Sequence, residues 1–125
     1  MNNKEKKIQI ALGTYLDTVW NERKKLRAKG DRLYNKGRKL IAKGYELIDN
    51  GQKQYIYGHN PCETLNAGYD AHIKGNQLYN EKDSLYIKSD KLFRDAVTEV
   101  YNENMTIHWY SNDKCTLSNG QEFYD

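Results

Sequence analysis

Hydrophobic positions along the chain recur every seven residues. Leu26, Leu33, Leu40 and Leu47 are spaced by seven, and so are Gly30, Gly37, Gly44, Gly51 and Gly58. Each Gly-to-Leu step is three and each Leu-to-Gly step is four. That is the a/d spacing of a coiled-coil seam, with glycine at a and leucine at d. Tyr34, Ile41, Ile48 and Tyr55 add an apolar e position. The period returns with Leu78, Leu85 and Leu92 at d and Tyr79, Tyr86 and Phe93 at e, while Gly68, Gly75, Ser89 and Ala96 hold the a sites. Lys82 is the one large residue at a in this second run. The pattern predicts two long helices, from near Asn3 to near Tyr57 and over roughly 63–102. A first helix of that length extends on the order of 80 Å. Residues 8–20, with Ile8, Ile10, Leu12, Tyr15, Leu16, Val19 and Trp20, break the heptad and read as a separate or bent segment.

Glycine inside a helix costs about 0.8–1 kcal/mol relative to alanine. A seam without Cβ atoms offsets that cost if a neighbouring backbone comes close. Two small-residue seams therefore predict an antiparallel hairpin. Its turn falls near 58–62, where Gly58-His-Asn-Pro-Cys62 supplies a helix stop and turn chemistry. After residue 103 the period changes to two. Met105–Tyr110, Cys115–Leu117 and Gln121–Tyr124 read as strands, separated by Ser-Asn-Asp-Lys and Ser-Asn-Gly turns. The expected fold is mainly α: a helical hairpin over 1–103 and a β-meander over 104–125, one domain overall. So small a meander has to cap the helices or pair with another copy. The half-exposed stripe of one hairpin and the meander together predict a homo-oligomer.

Composition narrows the picture further. The 125 residues are 38% hydrophobic and 30% charged, with 11 Tyr and a single proline. No apolar run reaches the 18 residues of a membrane span, and Ile8–Leu12 is too short for a signal-peptide core, so a cytoplasmic location without membrane contact is expected. Net charge is +3 but uneven: residues 21–45 hold ten Lys and Arg against Glu22 and Asp31. Such asymmetry calls for an anionic partner or an acidic mate in the assembly. Lys29, Lys36 and Lys43 fall at g beside the glycines, and Arg32 and Lys39 fall at c. With Tyr34, Tyr79 and Tyr86 offering flat faces, these residues make a candidate anion-binding set. The plainer alternative is a solvated face whose lysine stems cover the seam.

Catalytic signatures are absent from the sequence. There is no P-loop and no GxGxxG. His59 and Cys62 form an H-x-x-C pair, and His108 and Cys115 would complete a zinc site only if the tail folded back to the turn. A turn histidine and free thiols in a reducing compartment are the expectation, with no metal, no cofactor and no enzymatic activity.

The heptads AKGDRLY, NKGRKLI and AKGYELI, followed by Val100-Tyr101, Ile107-His-Trp109, Cys115-Thr-Leu117 and Asn119-Gly120, resemble small uncharacterised bacteriophage proteins. Those proteins carry A-E-G-[DN]-[KR]-L-[YW] heptads and a C-terminal I-x-W…C-x-L-x-N-G tail. The likeness covers about residues 26–124. This chain departs from the pattern with Lys where Glu is usual, which makes its first helix basic. The resemblance implies a phage origin and brings no functional residues with it. It leads to an expectation of a non-enzymatic interaction protein that inhibits or sequesters a host factor, in counter-defence or host takeover. The factor would be a host protein or a small anionic nucleotide-type signal held between subunits. The alternative is a nucleic-acid-binding accessory protein that uses the basic helix 21–45.

Overall fold

The computed structural model describes residues 3–102 and 104–125, the side chains at 5–10, 12 and 13 excepted. Residues 8–20, expected as a separate or bent segment, instead continue in one unbroken helix with the heptad run, and the side chains of Ile8, Ile10 and Leu12 lie outside the described residues. Helix α1 runs Asn3–Ile56 and helix α2 runs Cys62–Tyr101; strands β1 (Ile107–Ser111), β2 (Lys114–Leu117) and β3 (Glu122–Tyr124) follow. The fold is thus mainly helical, two long helices with a small three-stranded sheet, as the heptads and the tail predict.

Local chemistry sets each boundary. Gly58 ends α1 at φ +79°, the left-handed conformation that glycine adopts without strain. The His59 amide donates to the Gln54 carbonyl at 2.8 Å and the Gly58 amide to Tyr55 at 3.1 Å, the paired bonds of a Schellman stop. Two residues on, the Asn60 side chain accepts from the Cys62 amide at 3.0 Å and caps α2, with Pro61 in the first helical turn. Asn102 closes α2 at φ 76°, its amide donating to the Thr98 carbonyl at 2.7 Å. The sheet is an antiparallel meander of order β1-β2-β3, with Trp109 opposite Cys115 and Cys115 opposite Phe123.

The chain divides into two compact units, residues 28–85 and residues 1–27 with 86–125. In the second of these the meander caps helix. Leu16, Val19 and Trp20 of α1, Phe93, Ala96 and Val97 of α2, and Cys115, Leu117 and Phe123 of the sheet form one buried core. Three of its rings meet edge-on or tilted, Trp20–Phe93 and Phe93–Phe123 at 5.0 Å and Trp20–Phe123 at 5.7 Å.

In the unit spanning 28–85 the seam is built from missing side chains. A Cβ on Gly37 would lie 2.9 Å from the Gly75 carbonyl oxygen, and one on Gly75 would lie 2.8 Å from that of Gly37. Gly44 and Gly68 repeat the reciprocal contact at 2.8 and 2.9 Å. The e side chains of each helix then lie over the glycines of the other, with Ile41 on Gly75, Ile48 on Gly68, Tyr79 on Gly37, His72 on Gly44 and Leu65 on Gly51. The same register places Gly30 opposite Lys82, so the one bulky a residue faces a position without a side chain. The Lys82 ammonium stands 5.2 Å from the ring centres of both Tyr34 and Tyr79 and 3.0 Å from the Asp83 carboxylate.

Candidate functional site

The residues singled out from the sequence separate into three groups. Lys29, Arg32, Lys36, Lys39 and Lys43 are all exposed along α1, together with Arg38. Elsewhere in this unit Lys53 pairs with Asp49 at 3.2 Å and Lys82 with Asp83 at 3.0 Å. A helix brings residues three and four apart together, so Lys36 lies beside both Leu33 and Leu40, and Lys43 beside both Leu40 and Leu47. Six cations therefore stand exposed along one helix.

Tyr34 and Tyr79 do come together. They stack at 5.4 Å with an 18° interplanar angle. One face of each ring is engaged by the other, and the Lys82 ammonium stands 5.2 Å from both ring centres. Tyr86 belongs to the other unit, where the Arg27 guanidinium covers its ring at 4.3 Å.

The basic segment 21–45 is also less free than its composition suggests. Arg23 is 1% exposed. Lys24 pairs with Asp125 at 3.5 Å, and Arg27 lies 3.6 Å from Asp90 with its side chain 12% exposed. The accessible cations begin at Lys25.

Arg23 is the feature that sequence reasoning missed. Its guanidinium packs beside a stacked pair of indoles, 4.5 Å from the Trp20 centroid and 4.6 Å from that of Trp109, the two rings lying 5.9 Å apart. Nε donates to Asp90 Oδ1 at 3.1 Å, and Nη2 donates to the Asn112 carbonyl at 2.6 Å. Nη1 is buried without a hydrogen-bond partner. Burial pulls the arginine pKa down, and the neighbouring Asp90 carboxylate opposes the shift. The signal in the sequence was position: Arg23 stands seven residues before Gly30, on the seam itself. A cleft of about 460 Å³ opens beside it, lined by Arg23, Asp90, Trp109, Tyr110, Ser111 and Asn112. The guanidinium is already engaged by both indoles, by Asp90 and by the Asn112 carbonyl. Its chemistry is that of a clamp, which fastens the β1–β2 turn to the two helices of its unit.

Cys115 is fully buried, and desolvation raises its thiol from an ordinary 9.0 to about 11 despite nearby Arg23. Cys62 is exposed. Among the described residues no three His, Cys, Asp or Glu side chains converge as metal ligands. No helix among them is long and apolar enough to cross a membrane. No family model, no curated protein and no solved structure matches this chain.

Proposed function

We propose that this chain is a non-catalytic, homo-oligomeric binding protein that sequesters an anionic partner on the cationic surface of α1. One observation carries the reading: Lys29, Lys36 and Lys43, with Arg32 and Lys39, are exposed in two rows at heptad spacing, and Arg38 is exposed beside them. Exposed cations clustered on one surface raise the local concentration of anions and stabilise their contacts. On the phage resemblance, the partner is a factor of the infected host, and its loss from solution is the effect.

The test is binding of labelled polyglutamate, a labelled single-stranded oligonucleotide and a labelled duplex as a function of salt. Affinity for at least one of them should fall steeply between about 50 and 200 mM salt. Lys36→Glu with Lys43→Glu should weaken that binding about tenfold or more, with helix content unchanged. Preference for an oligonucleotide over polyglutamate at equal charge would favour the nucleic-acid reading of the same surface. No salt-dependent binding to any of the three at low ionic strength would end the proposal.

A further inference from the structure

In the unit spanning 28–85 the fully buried positions are glycines: Gly30, Gly37, Gly44, Gly51, Gly68 and Gly75. No described hydrophobic side chain of this unit is fully buried. Leu33, Leu40 and Leu47 of α1 and Leu78 and Leu85 of α2 all remain half-buried, and Ala71 continues the row. Their arrangement follows from the seam. The e positions share one flank of it, since Tyr34 of α1 stacks on Tyr79 of α2 at 5.4 Å. The d leucines of both helices therefore line the opposite flank as two parallel rows. Over Leu33–Leu47 the row extends about 21 Å. Strict seven-residue spacing of leucine is the pattern of knobs that enter a facing helix, and within this unit these leucines reach only half-burial.

The rims of this face differ in charge. On α1 it is edged by Lys29, Lys36 and Lys43, all exposed. On α2 it is edged by Lys74 and Glu81, with Asp70 beside them. We propose that a second copy of this chain packs its own leucine face onto this one, giving a four-helix bundle in which α1 of each copy lies beside α2 of the other. The charges select that arrangement. A two-fold axis along the bundle keeps the levels of the hairpin, so Lys29 comes level with the partner's Glu81 and Lys43 level with the partner's Asp70. Lys36 meets the partner's Lys74, the one like-charge level. The other two-fold arrangement would set α1 against α1 and bring three lysines against three lysines. The face carries both halves of its own complement, as an isologous interface requires. This inference rests on the homo-oligomeric part of the function proposed above and names its interface.

The experiment is native mass spectrometry and light scattering of the full chain over a hundredfold range of concentration. An even-numbered assembly is expected. Leu40→Glu with Leu78→Glu should give a monomer that keeps its helical circular dichroism, because these side chains lie outside the glycine seam. Leu40→Ala, a milder change, should weaken self-association at least tenfold if the double variant fails to fold. Ile73→Glu, which alters an exposed side chain away from this face, should leave the assembly unchanged. Lys29→Glu and Glu81→Lys should each weaken the assembly, and together they should restore it. A wild-type chain that stays monomeric overturns the proposal, as does an assembly indifferent to both leucine changes. A monomer that instead binds an acidic heptad peptide on this face would assign it to a foreign helix. Salt-dependent polyanion binding by such a monomer would leave the cationic-surface reading standing while removing this interface. An intact assembly that binds no polyanion would do the reverse.

Discussion

A Cβ on Gly44 would sit 2.8 Å from a backbone oxygen, which cannot swing aside as a flexible side chain can. Alanine is the better helix former by about 0.8–1 kcal/mol, so propensity alone predicts stabilisation. Overpacking of a close contact costs about 1–3 kcal/mol and outweighs it. Gly44→Ala should therefore lower the melting temperature, measured by thermal unfolding, and Gly44→Leu should lower it further. An unchanged or raised value would show that the backbones are not held so close. Arg23 obeys the opposite logic. Arg23→Met keeps the stem but leaves the Asn112 carbonyl without its donor and Asp90 with Arg27 alone. Asp90 is partly exposed, so the loss should fall below that of a fully buried pair, at about 1–3 kcal/mol in denaturant unfolding. The thiols give a pH test. A folded-state pKa raised to about 11 means that Cys115 contributes its stability fully below pH 9 and loses it as pH rises through 11. The loss should be on the order of 2–3 kcal/mol. Cys115→Ala should abolish that alkaline decline. At neutral pH a disulfide-exchange reagent should titrate one thiol per native chain, Cys62, and two in denaturant.

At the scale of elements, most of the fold is legible in the sequence because its cause is periodic. The heptads specify α1 and α2. Gly58 and Asn60-Pro61 specify the turn, whose Schellman bonds and Asn60 cap are local chemistry. Asn60→Ala should cost about 1 kcal/mol, as loss of an N-cap generally does. The strands lie within two residues of their expected limits. What could not be read was the site. The basic run 21–45 looks uniform as a string, yet Arg23 is drawn inward by Trp109 and by the Asn112 carbonyl, 86 and 89 residues away. Tyr34 and Tyr79 look like free aromatic faces until the antiparallel register stacks them on each other. Both outcomes depend on which positions face one another across the hairpin, and periodicity fixes only the spacing along it.

At the scale of the whole molecule, the two units are stabilised by different means. Among the described residues, the unit holding the sheet has a core of nine buried hydrophobic residues. The unit spanning 28–85 has backbone contact and half-buried leucine. Hydrogen exchange should separate them. Amides around Trp20, Phe93, Val97 and Leu117 should be protected at every protein concentration. Those of residues 33–47 and 68–82 should gain protection as concentration rises, if a second copy covers the leucine face. Equal and concentration-independent protection in both units would contradict that division.

The glycine seam also bears on how such a chain can change length. Glycine opposite glycine fits as well at one heptad as at the next, so the pairing within residues 28–85 is nearly degenerate to a slip of seven. Its registration comes from the few positions that are not interchangeable: Lys82 opposite Gly30, the Tyr34–Tyr79 stack, and the short connection between Gly58 and Cys62. A heptad gained or lost in α1 alone would move glycine onto glycine and still part Tyr34 from Tyr79. A heptad gained or lost in both helices at matching levels would preserve every pairing. Descendants of this chain should therefore differ in length by fourteen residues more readily than by seven.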